Sequence, residues 1–97
     1  MPDRLKPLFS APMAGIERLA KQARAAEGLT TLVRGELPEG VRPHVVGAAR
    51  RGPDLVVIVD SAAWTARVRY AGPRLKERLR SLGEPVEGKL RVRVRGA

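Results

Sequence analysis

The segment Asp54 to Tyr70, DLVVIVDSAAWTARVRY, constrains the fold more than any other stretch of the chain. Its apolar run, Leu55 to Val59, is bounded by the Gly52-Pro53 turn and by Asp60-Ser61, which reads as a short, buried strand. A helix begins immediately afterwards and carries the sole tryptophan. The first N–H groups of a helix lack partners, and Asp and Ser oxygens accept from them, so Asp60 and Ser61 are expected to cap this helix. Trp64 and Val68 then fall on the face that meets the core.

The same apolar stripe extends through Trp64, Val68, Ala71, Leu75, Leu79 and Leu82 at three-to-four spacing, passing Gly72-Pro73 without a change of phase. This predicts one helix over 61–82, kinked at Pro73; two helices broken at Gly72 are the alternative. Val41 to Arg51 reads as a strand with Pro43 near its start, and with 55–59 it forms a hairpin. Lys89 to Arg95 alternates strictly, with Leu90, Val92 and Val94 on one face and Lys89, Arg91, Arg93 and Arg95 on the other.

Upstream, Pro2 and Pro7 predict an irregular lead-in over residues 1–11, followed by a single domain over 12–97. Met13, Ile16, Leu19, Ala20 and Ala23 predict an amphipathic helix stopped at Gly28. Leu29, Leu32 and Val33 predict a second, short helix to Glu36. The order α-α-β-β-α-β implies a two-layer α+β domain, with helices on one face of a three-stranded sheet.

Charge is uneven along the chain. The formal net charge of +9 divides into +2 over residues 1–60 (nine Lys/Arg, seven Asp/Glu) and +7 over 61–97 (ten and three). Positive potential concentrated on the second half speeds encounter with polyanions or acidic protein surfaces. The cations are mostly arginine, which suits bidentate phosphate or carboxylate contacts and is equally explained by a GC-rich genome. There is no cysteine, which excludes disulfides and thiolate ligands and fits a reducing compartment. The longest apolar run is far below the about 20 residues of a membrane helix. A soluble, cytoplasmic protein is expected.

Catalytic material is scarce. With one histidine, His44, and no cysteine, neither a Ser-His triad nor a zinc site of ordinary ligands can be assembled. His44 reads as a strand residue without a catalytic role. Glu36/Glu39 and Glu84/Glu87 flank prolines, as solvated loops do, and no phosphate-cradling glycine motif occurs. No cofactor, metal or enzymatic activity is expected.

Two cationic groups remain. On the 61–82 helix, Arg67, Arg74 and Arg78 line one flank of the stripe, and Arg69, Lys76 and Arg80 line the other, with Glu77 the only acid. At a rise of about 1.5 Å per residue, Arg67 to Arg78 covers several phosphates of a nucleic acid strand. A solvated face whose arginine stems shield the core explains the same pattern. Lys89, Arg91, Arg93 and Arg95 form the second group, suited to an external anion or to an edge strand protected by charge. The aromatics are Phe9, Trp64 and Tyr70, none on a predicted strand, so binding is expected to be backbone-directed and salt-sensitive, without a base-stacking sheet.

Leu37-Pro38, HVVGAARRGPDLVVIVDSAAWTARVRYAGPRLKERL from His44 to Leu79, and the closing KLRVRVR strand together resemble the DciA family. The resemblance covers about Met13 to Arg95 and implies a KH-like domain that acts in the cytoplasm at the replication fork. It further implies contact with the hexameric replicative helicase DnaB and binding to DNA. Two departures stand out. Some members extend into a long disordered basic tail, whereas this chain reads as a short form. It also has no G-x-x-G, so the nucleotide clamp of ordinary KH domains is not implied. The expected function is a DciA-like adaptor using Arg67, Arg74, Arg78, Lys89, Arg91, Arg93 and Arg95. The alternatives are a module recognising an acidic partner and a KH-like RNA-binding domain.

Overall fold

The computed structural model describes the backbone of residues 2–96 and the side chains of residues 15–96. The elements are α1 (Pro2–Glu36), a 3-10 turn (Arg42–His44), β1 (Val45–Arg51), β2 (Asp54–Val59), a second 3-10 turn (Ala62–Trp64), α2 (Thr65–Ser81) and β3 (Leu90–Val94). The sheet order is β1-β2-β3, with β1 antiparallel and β3 parallel to β2. Both helices pack on one face, so the domain is α+β, with a mixed three-stranded sheet.

The lead-in, first helix and short second helix expected upstream form a single helix, α1. Gly28 does not stop it. A glycine inside a helix costs only about 1 kcal/mol, and Leu29, Val33 and Leu37, each buried, anchor the turns that follow. The helix ends where Pro38 disfavours helical backbone at Leu37. Its upstream portion overhangs: Ile16 is 60% and Leu19 65% exposed, so the stripe expected to cover the core lies in solvent there. Met13 and Phe9 lie outside the residues whose side chains are described.

The core is aliphatic. Leu29, Val33 and Leu37 of α1 and Val68, Leu75 and Leu79 of α2 close over Val45, Ala48, Leu55, Val57 and Val59, with Val41 and Val86 sealing the ends. Leu90, Val92 and Val94 point into this layer from β3. Leu82, the last residue of the predicted stripe, is the C-cap of α2 and is 45% exposed. α2 continues through Pro73 as one helix. Gly72 lets it approach β3: a Cβ there would stand 2.8 Å from Leu90 Cδ2.

Among the described residues both helices lie on the same face, leaving the opposite sheet face without a helix. In register, Ala49, Val56 and Arg91 form one row of it, and Gly47, Ile58 and Arg93 the next. Among the described residues β3 pairs with β2 alone, so its other side is a sheet edge.

Candidate nucleic-acid interface

The junction between β2 and α2 is stitched differently from the capping that Asp60 and Ser61 predict. A 3-10 turn intervenes. Ser61 is extended at its start, yet neither it nor Trp64 at the α2 terminus makes a side-chain capping bond. The Asp60 carboxylate instead lies 3.0 Å from His44 Nδ1, and the Asp60 N–H donates to the His44 carbonyl at 2.9 Å. His44 stands in a 3-10 turn ahead of β1, where its ring stacks on Trp64 with centroids 3.8 Å apart and planes 11° from parallel. Trp64 is half-buried at the edge of the core, while Val68 is fully buried. The guanidinium of Arg67 sits over the Trp64 ring, 5.1 Å from its centroid. Stacking and a cation-π contact thus orient the first turn of α2, with side-chain caps playing no part.

From this start α2 projects its cations to solvent on either side of the buried stripe. Arg67, Arg69, Arg74, Arg78 and Arg80 are all exposed. Arg78 is tied to the end of α1, with Nε 2.9 Å from Glu36 Oε2. That hydrogen bond holds the Glu36 carboxyl below its ordinary range and raises the guanidinium above its own. Arg67, Arg69, Arg74 and Arg80 have no ion pair among the described residues. On the flank toward β3, Arg69, Lys76, Glu77 and Arg80 line an open groove floored by Gly72, Pro73 and Leu90. Lys76 Nζ donates to the Gly88 carbonyl at 2.9 Å, which leaves Arg69 and Arg80 as the uncommitted cations of that groove.

β3 presents its cations on the other side of the domain. Because Leu90, Val92 and Val94 face the helices, Arg91 and Arg93 face the uncovered side of the sheet. Lys89 and Arg95 flank the strand, outside its bounds. Arg91 Nε lies 2.8 Å from Asp54 Oδ2, while Asp54 Oδ1 accepts from the Lys89 N–H at 2.8 Å. The backbone donor first, and the Arg91 guanidinium second, hold the Asp54 carboxyl below its ordinary range. Gly88 makes the approach possible: its N–H donates to the Pro53 carbonyl at 2.7 Å, and a Cβ there would collide with the Asp54 carboxylate. Five of the seven candidate cations therefore divide between two faces, with Lys89 and Arg95 beside β3. Arg67, Arg74 and Arg78 lie on the helix layer, whereas Arg91 and Arg93 lie behind the sheet.

Among the described residues no group of three or more His, Asp or Glu side chains is placed to hold a metal, and no helix is long and apolar enough to cross a membrane. A family model described as "Dna[CI] antecedent, DciA" matches residues 5–92, nearly the whole 97-residue chain. The chain belongs to the DciA family. A search of curated proteins gives no match. DciA proteins are non-catalytic loaders or operators of the replicative helicase DnaB, so interaction with DnaB and a role in DNA replication come with membership.

Arg69 and Arg80, which the helical spacing already places on the second flank of the stripe, join the exposed cations of α2 that have no ion pair among the described residues. The His44-Asp60-Trp64 cluster had only a weak signal in the sequence. The hairpin brings the start of β1 and the end of β2 together, but a bulge between Val45 and Gly47 shifts the register by one residue, and the glycine inside the strand is its mark in the sequence.

Proposed function

We propose that this DciA-family chain works in the cytoplasm as an adaptor that binds DNA through its basic surface while docked on DnaB. The observation that carries the reading is the outer surface of α2, where Arg67, Arg69, Arg74 and Arg80 are exposed and unpaired among the described residues and Glu77 is the only acid. Unpaired guanidinium groups are free to neutralise phosphates and release counterions, the term that dominates sequence-independent affinity for DNA. Arg78 and Arg91 contribute less, because Glu36 and Asp54 already offset their charge. Arg93 on the uncovered sheet face, with Lys89 and Arg95 beside the strand, adds secondary cations. Contacts of this kind position a strand without reading its bases.

Two measurements test the two halves of the reading. In the first, the affinity of the whole chain for an oligonucleotide is followed against salt. A plot of log K against log salt falls with a slope of about −0.7 per phosphate contacted on a single strand, and a slope near zero removes DNA from the function. In the second, the chain is mixed at low salt with DnaB from the same cell and fractionated by size. Co-elution supports docking, and separate elution argues against it.

A further inference from the structure

Tyr70 is the most exposed large apolar residue among the described side chains, at 91%, and it stands in the middle of the arginines of α2. Arg67 precedes it by three residues and Arg74 follows it by four, the separations at which helical side chains are surface neighbours. Phenol rings left in water gain nothing from burial or packing. The other large apolar residues that are exposed, Ile16, Leu19 and Val46, belong to α1 and β1, and Leu82 is twelve residues further along, beyond the end of α2. Its other neighbours at that spacing, Ala66 and Pro73, are exposed but small, so Tyr70 lacks the ring of large apolar side chains that encloses a hot spot for a protein partner. Its charged neighbours there, Arg67 and Arg74, are both cationic.

An isolated aromatic ring among arginines is the combination by which proteins hold unpaired nucleic acid, the ring taking the face of a base and the cations the backbone on either side. The geometry points to Tyr70 as the residue that makes α2 prefer single-stranded over duplex DNA. It stacks on one unpaired base while Arg67 and Arg74, about 10 Å apart along the helix axis, hold the flanking phosphates. A paired base inside a duplex offers no free face to a side chain on a helix that stays outside the grooves. Duplex DNA therefore uses the arginines alone. The inference rests on the DNA-binding reading above and adds to it the kind of strand bound and the residue that selects it.

Binding of the whole chain to a fluorescent single-stranded oligonucleotide and to a duplex of the same length, at one salt concentration, tests the assignment with Tyr70→Ala and Tyr70→Phe. The Ala variant is expected to lose about tenfold in single-strand affinity, the scale of one base-aromatic stack, and less than about twofold in duplex affinity. The Phe variant, which keeps the ring, is expected to match the parent on both. Unchanged single-strand affinity in Tyr70→Ala overturns the assignment, as does an equal loss on both substrates. A parent protein that binds neither substrate overturns the DNA-binding reading itself, a result distinct from a parent that binds both and a variant that does not discriminate. Because Tyr70 touches so little of the protein, the melting temperature of both variants should stay that of the parent, and this checks that any change is one of binding.

Discussion

Two elements carry most of the positive charge in the second half of the chain, and they use it differently. On α2, Arg67 leans on Trp64, Arg78 is bonded to Glu36, and Arg69, Arg74 and Arg80 have no acid partner among the described residues. On β3, Arg91 and the Lys89 backbone both converge on Asp54, which fastens the strand to the start of β2. The two look alike as charge, yet Arg91 is spent on fastening β3, whereas most of the α2 arginines, like Arg93, have no acid to offset them among the described residues. The acid within reach of each cation decides its role, because an offset charge has little left to give a phosphate.

The largest expected effect separates the two elements directly. Replacing Arg67, Arg69 and Arg74 together by Gln should lower affinity for single-stranded DNA at moderate salt on the order of 100-fold, whereas Arg91→Gln with Arg93→Gln should cost less than about tenfold. Fluorescence anisotropy at one salt concentration measures both. Equal losses would remove the distinction.

A second prediction concerns what β3 does instead. Gly88→Ala places a Cβ against Asp54 and the Pro53 carbonyl, so it should destabilise the domain by about 1–3 kcal/mol, the usual cost of overpacking a tight site. At about 4–8 °C per kcal/mol for a domain of this size, thermal unfolding followed by circular dichroism will show it. DNA affinity of the folded fraction should be unchanged, since no α2 arginine is involved.

The smallest effect is a dependence on pH. Asp54 has a lower pKa folded than unfolded, so its pairing adds stability that is fully present above the ordinary carboxylate range and is lost as pH falls through the depressed value. Asp54→Asn should therefore melt a few degrees lower than the parent at neutral pH, with the gap closing as pH falls below about 4. The same substitution frees Arg91 and should raise DNA affinity slightly. A gap that widens in acid would contradict the assignment of Asp54 as a charged anchor.

The strand-to-helix pivot, the hairpin and the alternation of β3 were all readable from short-range pattern, since each rests on neighbours two to four residues apart. What escaped reading depends on distance along the chain. Glu36 meets Arg78 across 42 residues, and Asp54 meets Arg91 across 37, so nothing local marks which arginines are spoken for. Gly28 looked like a helix stop because that signal is local, while Leu29 and Val33, which carry the helix past it, act through tertiary packing. Asp60 and Ser61 have the chemistry of a cap, yet the hairpin delivers His44 to the Asp60 carboxylate and the cap goes unmade. The site was thus half visible: its charges could be counted from the sequence, but their partners could not.

The most direct test of the account is the salt slope of single-stranded DNA binding, measured for the parent, the α2 triple variant and the β3 double variant. The account predicts that the α2 variant loses about two units of slope, three phosphate contacts at about 0.7 each, and that the β3 variant loses less than one. A β3 variant that loses more slope than the α2 variant would contradict it.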